Sequence, residues 1–224
     1  SLEDAWAALG ARIDGLTEVW LRFAGLPVRH AGTMGGNVAN GSPIGDAPPV
    51  LLALDASIVL RRGDARRTLP LSAFYLDYMK SDLREGEFLE SIRVPLDDGL
   101  TVRAYKISKR YDCDITAVLG AFAIRLDGAG VVSEVRLAWG GMAATAKRAA
   151  AAEAALVGQP FDRPALDAAK AALATDFTPL TDMRASAGHR QRVARNLLER
   201  LWLETRASDP LPAAATRVFV REDS

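Results

Sequence analysis

The sequence holds one cysteine, Cys113, and two histidines, His30 and His189. A single thiol forms no internal disulfide, and so few soft ligands build no Cys/His metal cluster. A lone cysteine reads as a small buried apolar residue before it reads as a nucleophile. Net charge is missing as well, because 28 Lys plus Arg balance 28 Asp plus Glu. That balance argues against a nucleic-acid scaffold and against a membrane-surface protein, both of which carry a basic excess. No run approaches the roughly 20 apolar residues of a membrane span, and no charged n-region precedes an apolar h-region. A cytoplasmic location is the default expectation. The chain opens on Ser1, not Met, and directly into helical spacing, with Leu2, Trp6 and Leu9 on one face. The expectation is that it begins inside a longer polypeptide.

Apolar residues make up 49% of the chain and charged residues 25%, ordinary values for a globular protein with a real core. Residues 2–24 read as two helices broken near Gly10 to Gly15, stopped by Gly25 and Pro27. Pro48 and Pro49 open a further helical turn. "SIVLRR" and "RRTLPLSAF" read as strands joined at "GDA", and "EFLESIRVPL" as a strand ending at Pro95. The polar turn Pro95 to Leu100 marks a boundary. Beyond it, "TVRAYKISKR", "TAVLGAFAIRL" and "VVSEVRLAWGGM" read as strands, the last two joined by the hairpin signal "DGAG". "GAGVVS" lacks the third glycine of a dinucleotide loop and leads into a strand, so it reads as a turn. A helix over 143–158 stopped by Gly158, one starting at Pro164, and one over "SAGHRQRVARNLLERLWLETRA" complete the chain. In the last, Val193, Leu197 and Leu201, widened by Leu198 and Trp202, form the apolar stripe, and its arginines are expected on the solvated face. The predicted class is α+β, antiparallel strands followed by helices, with a tail over 208–224.

One stretch stands apart: "AGTMGGNVANGSPIGD", Ala31 to Asp46, with five glycines in its sixteen positions. Gly35 and Gly36 remove two Cβ atoms in a row, so backbone N–H groups can approach a bulky anion. Thr33, Asn37, Asn40 and Ser42 supply neutral donors that suit phosphate oxygens and sugar hydroxyls. Asp46 suits a sugar hydroxyl or caps the helix that follows. No Lys or Arg lies inside the stretch. The spacing fits neither a P-loop nor a Rossmann loop. On these residues alone two readings stand: a long structural turn with caps, or a cradle for a nucleotide cofactor.

"RFAGLPVRHAGTMGGNVANGSPIGDAPPVLLAL" resembles the second FAD-binding motif of the xanthine dehydrogenase flavoproteins, in the molybdenum hydroxylase family. "YMKSDLREGEFLESIRVP", "AYKISKRYDCDITAV" and "VRLAWGGMAATAKRA" are similar to later segments of the same flavoproteins, in the same order. Carbon monoxide dehydrogenase flavoproteins share TxGG but differ after it, so "NGSPIGD" favours the xanthine dehydrogenase branch. The resemblance implies a PCMH-type FAD-binding domain, here its C-terminal part over 1–96. A CO dehydrogenase flavoprotein C-terminal-like domain over 97–207 would follow, a small antiparallel sheet with a helix bundle. It implies that Thr33, Gly35, Gly36 and Asn37 contact the FAD pyrophosphate or adjoining sugar. Asn40, Ser42 and Asp46 would serve the ribityl and phosphate region. Phe23 would lie at the adenine end, and Phe88 with Leu89 at a ring edge. Lys106 would be a fixed positive charge near the flavin, and Tyr78 with the loop "KRYDCD" would border the side where NAD enters.

The resemblance further implies partners: an upstream part with iron–sulfur clusters and the first Gly-rich loop, and a molybdopterin-binding large subunit, in a heterotetramer or larger. The [2Fe-2S] clusters and the molybdenum cofactor would sit on those parts, and electrons from purine oxidation would pass through FAD to NAD. Sister hydroxylases of aldehydes or carbon monoxide, and a non-catalytic nucleotide-binding or assembly module, are the alternatives. Without the first loop the chain is expected to bind FAD poorly by itself.

Overall fold

A computed structural model describes residues 1–212 and 215–216. The remainder of the expected tail lies outside the described residues. Helix α1 (Leu2–Gly10) buries Leu2 and Trp6, and Ser1 caps it through a reciprocal bond with Asp4. The predicted break follows: one 3-10 turn over Asp14–Leu16, then α2 (Thr17–Arg22).

The Gly-rich stretch is more ordered than its composition implies. Helix α3 (Leu26–Ala31) runs into it, and α4 (Met34–Ala39) occupies its middle. Thr33 caps α4, its Oγ1 accepting the Gly36 N–H at 2.9 Å. Two glycines in so short a helix cost about 1 kcal/mol each relative to alanine. The local sequence therefore gives up helix stability to keep that surface bare.

Helix α5 (Ala47–Ala53) is buried at all seven positions. A helix that is apolar all round must be covered on every side. One cover is the antiparallel sheet β2-β1-β5, formed by β1 (Ser57–Arg62), β2 (Ala65–Pro70) and β5 (Phe88–Arg93). Between β2 and β5 lies a small hairpin of β3 (Tyr75–Asp77) and β4 (Lys80–Ser81). It was not expected, because strands this short carry no readable alternation. The strand expected over 66–74 ends at Pro70 for a related reason, since Leu71–Ala73 turn into a 3-10 segment.

The other cover is the second sheet, in the order β6-β7-β8-β9: β6 (Thr101–Ile107), β7 (Val118–Leu126), β8 (Val132–Gly140) and β9 (Lys147–Arg148). Strand β7 alternates between two cores. Leu119, Ala121 and Ala123 face the α5 core, while Val118, Phe122 and Ile124 face the core under the C-terminal helices. Those helices are α6 (Ala150–Leu156), α7 (Arg163–Asp176) and α8 (Ala187–Thr205). The helix expected from Ala143 starts only at Ala150, because β9 pairs with β8 first. Gly158 adopts φ +78 just past α6, as its expected stop role requires.

The architecture is the expected α+β, with antiparallel sheets followed by helices. Two expectations are corrected. Cys113 is exposed, in the loop between β6 and β7, not a small core residue. Arg190 of α8 is buried, so the arginines of that helix do not all face solvent. No helix among the described residues is long and apolar enough to cross a membrane.

Candidate functional site

The end of α4 and the edge strand β5 enclose a groove. Thr33 and Gly35 line it on one side and Leu89 on the other, with a volume of about 500 Å³. A second recess of about 250 Å³ continues past Gly35 and Leu89 to Gly36 and Phe88. Five of the expected residues thus surround one surface. The reason for glycine at position 35 is visible here: a Cβ would stand 3.3 Å from Leu89 Cδ2, and a longer side chain would enter the groove. Asn37 lies on the same short helix, and its Oδ1 is buried without a hydrogen-bond partner. A buried acceptor left unmet costs about 1–3 kcal/mol, which a bound donor would relieve.

Asn40 and Ser42 belong to a different cavity of about 550 Å³. The β3–β4 tip at Tyr78 and Met79 forms one wall, and Ala143, Ala144 and the 180–184 segment form another. Sequence reasoning named Tyr78 but missed the opposite wall. Those residues are brought in from more than a hundred positions away and carry no motif.

Three expected residues are held inside the protein. Phe23 is buried in the first core, its ring centroid 6.0 Å from that of Trp6. Asp46 neither caps α5 nor offers a free carboxylate. Its Oδ2 accepts from Lys106 Nζ at 2.7 Å, and its Oδ1 accepts the Thr116 hydroxyl. Lys106 is 2% exposed and is therefore half of a buried ion pair, not an isolated cation. Burial pulls the Asp46 carboxyl up, and the charge and N–H of Lys106 and the Thr116 hydroxyl pull it down, burial being the larger effect. Arg22 completes the cluster: its Nη1 donates to the Lys106 carbonyl at 2.6 Å, and its guanidinium stacks 4.3 Å from the Tyr111 ring centroid. The cluster ties the end of the Gly-rich stretch to β6 and to the loop after it.

An α+β module with a bare short helix over a groove offers a surface of the kind a nucleotide cofactor occupies. Comparison with known families makes this specific. Residues 1–97 match the profile of the FAD binding domain in molybdopterin dehydrogenase, and residues 103–205 that of the CO dehydrogenase flavoprotein C-terminal domain. The structure of carbon monoxide dehydrogenase from Hydrogenophaga pseudoflava, lacking the Mo-pyranopterin moiety, contains a chain that superposes with TM-score 0.83 at 34% identity, covering 89% of this chain and 70% of that one. In sequence, the carbon monoxide dehydrogenase medium chain of that organism is 33% identical over 85% of this chain and 66% of its own length. Xanthine dehydrogenase of Emericella nidulans is 34% identical over 79% of this chain and 13% of its own length. This chain therefore spans about two thirds of the medium chain and a small part of the fungal enzyme. It belongs to the FAD-binding flavoprotein family of the molybdenum hydroxylases, and FAD is the cofactor of that family.

The groove fits that cofactor. It presents a hydroxyl at Thr33, bare backbone at Gly35 and Gly36 and an apolar wall at Leu89.

Proposed function

We propose that the chain is the FAD-binding portion of a xanthine-dehydrogenase-type molybdenum hydroxylase that delivers electrons to NAD. The observation that carries the reading is the groove between α4 and β5, with Thr33 and the bare backbone of Gly35 on one side and Leu89 on the other. Thr33, Gly35, Gly36 and Asn37 would hold the pyrophosphate and adjoining sugar, and Phe88 with Leu89 would border a ring edge. Asn40 and Ser42 would serve the ribityl side, where their cavity opens. When bound, FAD takes electrons singly and releases them in pairs as hydride. The chain supplies orientation and exclusion of water, and no acid/base pair of its own. Because Asp46 neutralises Lys106, these two residues fix the shape of the site and do not impose a net positive field on it.

The acceptor NAD would enter the 550 Å³ cavity beside Tyr78. The iron–sulfur clusters and the molybdenum cofactor would lie on an upstream part and a large subunit, in a heterotetramer or larger assembly. A second reading, a carbon-monoxide-dehydrogenase-type flavoprotein, draws support from the superposition at TM-score 0.83.

The test is the assembled enzyme, purified and scanned for flavin absorbance. The band should bleach with xanthine, and with NADH under anaerobic conditions. A preparation that stays colourless after added FAD sinks the cofactor assignment. Bleaching by carbon monoxide and not by xanthine would establish the second reading.

A further inference from the structure

Arg190 sits in the first turn of α8 and is 3% exposed. A buried guanidinium is costly unless acceptors meet its N–H groups. Here Nη1 donates to the Gly141 carbonyl at 2.7 Å and to the Ala117 carbonyl, and Nη2 donates to Asp182 Oδ1 at 2.8 Å. The three partners come from three separate stretches: the loop entering β7, the turn after β8, and the segment before α8. Where they converge there is no room for a side chain. Gly141 has φ +77, and a Cβ there would stand 2.2 Å from the Ala117 carbonyl oxygen and 2.9 Å from Arg190 Nη1. Arg190 Nε is buried and unmet. Its orientation is therefore set by the three acceptors, at the expense of its own last N–H.

Asp182 is itself fixed. Its Oδ1 accepts the backbone N–H of Arg184 at 2.8 Å and of Ala185 at 3.1 Å. Partial burial works against the charge, yet these N–H groups and Arg190 hold the carboxyl down to about 2. The apolar stripe of α8 is buried further along the helix, at Leu197, Leu198 and Leu201. What the bonds do fix is the spacing between Gly141 and the 180–184 segment, two walls of the 550 Å³ cavity that Arg190 and Asp182 also line.

We propose that Arg190, oriented by Asp182, is a positioning residue that sets the width of this cavity for the nicotinamide dinucleotide. The inference rests on the reading of NAD as acceptor. It adds which side chains make the cavity the right size, through the walls and without bonding the reacting atoms.

The experiment uses the assembled holoenzyme and NADH-driven ferricyanide reduction, which needs no substrate at the molybdenum site. NADH gives its hydride to the flavin, and two ferricyanide ions each take one electron back. Arg190→Lys keeps the charge but cannot reach all three acceptors, and Asp182→Asn, at a partly exposed position, is the milder variant. Arg190→Lys should raise KM for NADH about tenfold, a change of about 1.4 kcal/mol, and Asp182→Asn should raise it by less. FAD content, kcat and thermal midpoint should move far less. A KM that stays at the wild-type value in both variants overturns the proposal. So does a KM that rises only in step with lost FAD or lost thermal stability, since that marks a purely structural residue. A wild-type holoenzyme whose flavin NADH does not bleach overturns the NAD reading itself, a result separate from any variant.

Discussion

Asp46 and Lys106 can stay inside the protein only as a pair, 2.7 Å apart, with the Thr116 hydroxyl taking the second carboxylate oxygen. Removing one member leaves an uncompensated buried charge, a cost of about 3–5 kcal/mol. Asp46→Asn should therefore lower unfolding free energy by that amount in denaturant titrations, while Asp46→Leu combined with Lys106→Met should recover most of the loss. Gly35 makes a different prediction. Valine there keeps an allowed backbone but intrudes on the groove toward Leu89. The Gly35→Val holoenzyme should retain its thermal midpoint within a few degrees and lose most of its FAD, read as the ratio of flavin to protein absorbance. At this scale the sequence was legible where the chemistry is local. Thr33, Gly35, Gly36 and Asn37 lie within five positions, and their types narrowed the stretch to a capped turn or a nucleotide cradle. Asp46 and Lys106 were both singled out, but separately. Nothing in a linear sequence pairs residues sixty positions apart, so a sugar-binding carboxylate and a free cation were expected where one neutral ion pair stands.

Among the elements, the first sheet is held at its rim by arginines. Glu90 accepts from Arg66 at 2.7 Å and from Arg61 at 2.8 Å, and Glu87 accepts from Arg67 at 2.8 Å. Hydrogen bonds from these arginines hold both carboxyls well below their ordinary 4.5, at about 2. A carboxyl depressed in the folded state binds its proton later than in the unfolded state. Its contribution is therefore whole above the unfolded value of about 4.5 and is lost as pH falls from there toward 2. The thermal midpoint should decline through that window, and a Glu87→Gln, Glu90→Gln variant should start lower and decline less steeply. Strand pairing of this kind was readable from alternation and from the "GDA" turn. Helix α8 shows both a success and a miss of pattern reading. Its stripe was recognised from Val193, Leu197 and Leu201, yet the buried register runs Arg190, Ala194, Leu197, Leu201. The same helical spacing that selects Leu197 and Leu201 selects Arg190. Its charge suggested the solvated face, and only the three acceptors gathered by the fold let it turn inward.

For the molecule as a whole, the deciding object is α5, buried at every position between two sheets. Trp6 lies in the same core as α5, and Trp139 in the second core, across the β6-β7-β8-β9 sheet. Because β7 sends alternate side chains into both cores, loss of one should expose the other. Fluorescence of variants keeping only Trp6 or only Trp139 should trace coincident denaturant transitions, and Leu51→Ala should shift both midpoints together by a loss of about 2–5 kcal/mol. The order of elements and the α+β class were legible because strands and helices each carry their own period. The double cover of α5 was not: a continuous apolar run says that a helix is surrounded without saying by what.

The packing of α5 against the second sheet has a consequence for modularity. Two family profiles divide this chain near residue 100, as if a cofactor piece and a C-terminal piece could be shuffled or expressed apart. Yet the helix that follows the Gly-rich stretch packs against β7 and β8, which belong to the second piece. A cut at the profile border would leave one side of α5 without its cover, and a swapped C-terminal piece would have to bring a face of alanines matching Ala121, Ala123 and Ala138. For recombination, the heritable unit is the pair.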